Sequence, residues 1–103
     1  MTLLDFHPEA VLELEAAVLW HEQERSGYGL SLYESVRHRI LQATRFPQSG
    51  VPVRGFDPGY DIRSFLLSKF PYCVIAATVK DRRIVVAVAH TSRNPGYWHE
   101  RVK

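Results

Sequence analysis

Apolar residues in the first half of the chain recur at helical spacing, whereas those in the second half fall into short continuous runs. Between Glu9 and Arg25 the positions Val11, Leu14 and Val18 line up on one helical face, with Ala10 and Ala17 alongside. His7-Pro8-Glu9 supplies a start signal, because proline presets the helical φ and an early acid complements the helix dipole. Ser26-Gly27 supplies the stop. A second stripe follows at Leu32 or Tyr33, Val36, Ile40 and Ala43, with Arg37, His38 and Arg39 including the exposed side, and Pro47 ends it. Two helices joined through Tyr28-Gly29 predict an antiparallel hairpin. The short apolar stretch from Thr2 to Phe6 before them predicts a strand.

Residues 47–59 hold three prolines and three glycines and read as a loop. The period then changes. Tyr60 to Leu67, Tyr72 to Val79 and Arg83 to Thr91 are rich in valine, isoleucine and aromatics and have strand length, with a compact polar turn at Lys80-Asp81-Arg82. The runs Cys73–Val79 and Ile84–Ala89 are almost wholly apolar, as central strands covered by helices require. Asn94-Pro95-Gly96-Tyr97-Trp98 breaks the sheet and begins a short helical turn. The predicted class is α+β in the order β-α-α-β-β-β, an α-helical hairpin packed on an antiparallel β-sheet. A chain of 103 residues fits one such domain, 1–103.

Charge adds an asymmetry that the pattern does not show. Residues 1–34 carry seven acids and one base, Arg25, while residues 35–103 carry twelve bases and four acids. The second part is therefore the expected face for a polyanion or an acidic partner, and ten of the thirteen bases are arginine, which suits bidentate contacts. Cys73 is the single cysteine, so an internal disulfide and a cysteine-rich metal site are excluded, and its neighbours Tyr72, Val74 and Ile75 predict a buried position. The five histidines are scattered without metal-ligand spacing, and His21-Glu22-Gln23-Glu24-Arg25 lacks the second histidine of a zinc helix. No cofactor and no metal are expected. Met1 to Phe6 carries an acid and no base, unlike a secretion signal, and no apolar run approaches the roughly 18–20 residues that span a bilayer. A cytoplasmic protein without a membrane partner is expected.

The segment richest in chemistry runs from Ala87 to Trp98. A buried strand leads directly into His90, Arg93 and Tyr97. An imidazole exchanges protons near neutral pH, a guanidinium holds phosphate, and a phenol stacks on a base or donates a proton. Together they could cleave RNA through its own 2′-OH without a metal. The structural alternative is that His90 closes the strand by a hydrogen bond while Tyr97 and Trp98 pack the C-terminal segment.

Three phrases resemble one family. Leu19-Trp20-His21-Glu22-Gln23-Glu24-Arg25 before Gly27-Tyr28-Gly29-Leu30 resembles the first helix and link of RelE/ParE toxins of type II toxin–antitoxin systems. Phe70-Pro71-Tyr72-Cys73-Val74-Ile75 resembles their central strand, and Ala89-His90-Thr91-Ser92-Arg93-Asn94-Pro95-Gly96-Tyr97-Trp98 the C-terminal signature of one broad branch. The resemblance implies a growth-inhibiting toxin neutralised by a cognate antitoxin. It implies one of two targets, mRNA on the ribosome cut by RelE-like endoribonucleases or DNA gyrase poisoned by ParE-like members without catalysis. A relic that only binds antitoxin is the third reading. Carried over by position, the nuclease reading assigns catalysis to His90, Arg93, Tyr97 and Arg63, and RNA binding to Arg54, Lys69 and Trp98. The chain departs from strongly nucleolytic members, which carry a dense basic face, in having only Lys69, Lys80 and Lys103 as lysines and Arg54 as the only base in the loop before the sheet.

Overall fold

The computed structural model describes residues 5–56, 59–79 and 81–102. Its elements are β1 (Asp5–Phe6), α1 (Pro8–Glu24), α2 (Tyr28–Arg45), β2 (Val51–Pro52), β3 (Tyr60–Leu66), β4 (Tyr72–Val79) and β5 (Arg82–His90), with single 3-10 turns at Pro47–Ser49 and His99–Arg101. The predicted α+β order holds, and the loop after α2 adds the short strand β2. The sheet is five-stranded in the order β1-β5-β4-β3-β2. It is mixed rather than wholly antiparallel, because β1 pairs parallel with β5 through Asp5↔Ile84 and Phe6↔Val85. The connection from β1 to β5 passes through both helices and β2–β4, long enough to return the chain for parallel pairing. Of the predicted first strand, residues 2–4 lie outside the described residues.

Local chemistry accounts for the helix boundaries. His7 Nδ1 accepts from the Glu9 amide at 3.1 Å, capping α1, and Pro8 occupies its first position. Gly27 has φ 90°, the left-handed conformation that turns the chain between helices. The Glu22 carboxylate then accepts from the amides of Gly27 and Gly29 at 3.0 Å each, so an acid of α1 caps the start of α2.

Gly29 serves a different purpose. It is buried where the helices cross, and a Cβ there would lie 2.7 Å from the Val18 carbonyl oxygen. That contact is with backbone and cannot relax by a rotamer change. Gly29→Val is expected to cost about 1–3 kcal/mol by forcing the helices apart, which a lowered urea midpoint at unchanged m-value would register.

The core lies on both faces of the sheet. Leu32, Val36, Ile40, Phe65, Val74 and Val88 belong to the cluster under the helices, while Ile62, Ile75, Val86, Ala87 and Trp98 form a second on the opposite face. A bulge explains how β5 serves both. Ile75 pairs with Ala87 but Ala76 pairs with Val85, leaving Val86 as an extra residue, so Val86 and Ala87 both join the second cluster. The α1 stripe differs from the expected one: Ala10 and Ala17 are the buried positions, Leu14 and Val18 are half-buried, and Val11 is exposed. The two alanines present no long side chain to the sheet, so α1 lies close to β5. Among the described residues no helix is long and apolar enough to cross a membrane.

Candidate functional site

The C-terminal segment turns at Thr91-Ser92 and lays Tyr97 and Trp98 against the second sheet face. It leaves a cleft of about 220 Å³ lined in part by Ser64, Cys73, His90, Arg93 and Tyr97. Cys73 is half-buried there, not enclosed in the core as expected. The structure places His90, Arg93, Tyr97 and Trp98 around one cleft. It places the other three predicted residues elsewhere.

Arg63 pairs across the sheet with Ala76, a member of the cluster under the helices, whereas its neighbours Ile62 and Ser64 face the other way. Its guanidinium donates to Asp61 Oδ1 at 3.1 Å and to the Gly50 carbonyl at 3.2 Å. Arg54 is exposed in the loop after β2. Lys69 lies in the β3–β4 connection, on a groove shared with Tyr28, Glu34 and His38 of α2. The period-2 alternation of a strand separates Arg63 from the cleft, and no spacing in the sequence fixes which face a strand position takes.

Bonding within the C-terminal group is largely internal. Tyr97 donates its hydroxyl to Glu13 Oε2 at 2.6 Å. Arg101 reaches the same carboxylate through two contacts, Nη1 to Oε1 at 2.9 Å and Nη2 to Oε2 at 3.0 Å. Arg93 lies with its guanidinium carbon 3.8 Å from the centre of the Tyr97 ring and its Nη1 4.0 Å from Glu13 Oε2, with its side chain 53% exposed. Glu13 also accepts from the Val88 amide at 3.0 Å, while Arg101 donates to the Val86 carbonyl at 3.1 Å. These two backbone groups belong to the part of β5 that β1 is too short to cover. Side chains thus close an open strand edge, which would otherwise offer unpaired amides and carbonyls to another chain. Burial raises the Glu13 pKa, but the bonds from Arg101, Tyr97 and Val88 outweigh it and hold the group below its usual range. Burial and the Glu13 contact push the Tyr97 phenol far above its usual value, so it remains protonated at any physiological pH.

His90 is constrained as well. Its Nδ1 accepts from the Ser92 amide at 3.1 Å and lies 2.7 Å from the Ser92 hydroxyl. An amide can only donate, so Nδ1 is the acceptor in this contact and Ser92 fixes the orientation of the ring. The ring meets Tyr72 edge-on at 5.1 Å, and the Tyr72 hydroxyl lies 3.3 Å from His21 Nε2. Trp98 is 4% exposed and stacks on Phe56, with centroids 5.6 Å apart and planes 10° apart. Its face is occupied by the protein. Glu13 and Arg101, the centre of this arrangement, were not legible in the sequence. The only hint is an acid set between Leu12 and Leu14, and its partner lies 88 residues away.

No family model and no curated protein matches the sequence. Among solved structures, a chain described as "Chromosomal ParDE TA system from P. aeruginosa" matches with a TM-score of 0.69 at 13% identity, over 87% of this chain and 96% of that one. The class defined by hairpin, sheet and connectivity is thus one in which backbone architecture is shared at low sequence identity. The chain shares that structure's fold and is RelE/ParE-like in architecture.

Proposed function

We propose that this chain is the toxin of a type II toxin–antitoxin pair, acting in the ParE manner by binding and poisoning DNA gyrase without cutting RNA. The observation that carries the choice of target is the Tyr97–Glu13 hydrogen bond of 2.6 Å, which commits to structure the phenol a nuclease would turn toward RNA. The Nδ1 of His90 filled by Ser92, the buried face of Trp98 and the placement of Arg63 beyond the cleft support the same reading. Arg93 retains exposure and serves as a contact for target or antitoxin.

The antitoxin seat supported by the geometry is the groove along the helical hairpin. This apolar cavity of about 370 Å³ is lined by Phe6, Val11, Leu14, Tyr33, Val36 and Ile40, with Glu15 and Arg37 also on its wall. An amphipathic segment laid there buries apolar side chains while the two charges set its register. The basic half expected from charge alone is a weaker seat, because Arg63, Arg83 and Arg101 already bond within the chain.

Induced expression followed by mapping of mRNA 5′ ends, beside a supercoiling assay with purified gyrase, tests the target. Growth arrest with stalled supercoiling and no new mRNA ends is expected, and His90→Ala should remain toxic. New ribosome-dependent cuts that disappear in His90→Ala would restore the nuclease assignment. A chain without toxicity that still binds antitoxin would be a relic.

A further inference from the structure

The outward face of α1 carries large, exposed apolar side chains. Leu12 is 58% exposed, Leu19 60% and Trp20 55%. At 100° per residue, Leu12, Ala16, Leu19 and Gln23 form one stripe on the side of the helix away from buried Ala10 and Ala17. This face is distinct from the hairpin groove, which uses Leu14 and Val11 of the same helix. Acids border the stripe on both sides, with Glu15 and Glu22 on one flank and Glu9 and Glu24 on the other, all exposed. No lysine or arginine lies on α1 itself. Ala16, small and central, allows a partner's backbone to approach closely.

We propose that this stripe docks a basic amphipathic helix of a partner protein, one with leucine-like residues at i, i+4 and i+7 flanked by lysine or arginine. Contiguous exposed apolar surface on a small protein marks an interaction site, and the charge border selects the occupant. An anionic membrane or a nucleic acid would meet the acids that border the stripe. A second copy docking symmetrically would oppose acid to acid, which costs affinity and slows association. A cationic helix satisfies both the apolar stripe and its border. The acidic excess of residues 1–34 thereby acquires a role separate from the antitoxin groove and from the choice between gyrase and mRNA.

The test uses the full chain and two synthetic helical peptides with leucines at the stated spacing, one flanked by lysines and the other by glutamates. Anisotropy titration should show saturable binding of the lysine peptide, weakening as salt rises, and no measurable binding of the glutamate peptide. Leu19→Asp should reduce affinity at least tenfold, and the pair Glu9→Lys and Glu15→Lys should flatten the salt dependence. All these positions are exposed, so circular dichroism should be unchanged. Absence of saturable binding, equal binding of both peptides, or full affinity in Leu19→Asp overturns the proposal. Self-association in sedimentation that Leu19→Asp abolishes would assign the stripe to a second copy and overturn it equally.

Discussion

Replacing Glu13 with alanine is expected to destabilise the protein by about 3–4 kcal/mol, a cost typical of removing one partner from a largely buried ion pair. The carboxylate holds Arg101 through two contacts, Tyr97 through one and the Val88 amide through another. Its loss leaves a mostly buried guanidinium uncompensated and an edge amide bare. The melting temperature should fall by on the order of 15 °C. Removing the stranded cation in Glu13→Ala with Arg101→Ala should return part of the loss, giving a coupling energy in a double-mutant cycle. Hydrogen exchange at Val88 separates this role from a general charge effect, because that amide should exchange faster only when Glu13 is removed. Wild-type stability of Glu13→Ala would refute the hub.

The same group sets an acid limit. The folded-state pKa of Glu13 lies below its unfolded value. Its contribution is therefore full above the unfolded value of about 4.3 and is lost as pH falls through the lower folded value. Denaturation midpoints should show a decline in that acid window, and Glu13→Gln should flatten it.

Charge placed in the hairpin groove should release the antitoxin. Tyr33 is exposed on α2 and lines the groove with Val11 of α1, so Tyr33→Asp or Val11→Asp changes the cavity without entering the core. An uncompensated carboxylate buried under a docked apolar segment costs about 2–4 kcal/mol, or a 30- to 1,000-fold loss of affinity. Calorimetry on the purified pair measures the loss, and co-expressed antitoxin should no longer rescue growth fully. Equal affinity for wild type and both variants would place the antitoxin elsewhere, with Arg63→Glu and Arg93→Glu testing the sheet half.

Much of the architecture was legible because its causes are local. Pro8 starts α1 and Gly27 turns the chain into α2 through backbone preferences that operate whatever surrounds them. The apolar runs of β4 and β5 signal strands covered on both faces, as observed. The C-terminal grouping of His90, Arg93, Tyr97 and Trp98 was visible because these residues are adjacent in the chain. What Tyr97 and Trp98 meet there was not visible, since Glu13 and Phe56 lie far away in the chain, whereas His90 bonds to nearby Ser92. Glu13 reaches Tyr97 and Arg101 across 84 and 88 residues. The alternation of β3 turns Arg63 away from the cleft, and the Val86 bulge changes which β5 side chains face each cluster. The parallel pairing of β1 likewise depends on where α1 and α2 return the chain. Helical period, turn chemistry and charge balance are properties of neighbouring residues, so the sequence by itself determined the elements, their order and the acidic first third. Strand face, register and hydrogen-bond saturation arise only when distant segments compete for the same donors and the same space, so the tertiary structure alone decided that the Tyr97 hydroxyl is bonded to Glu13.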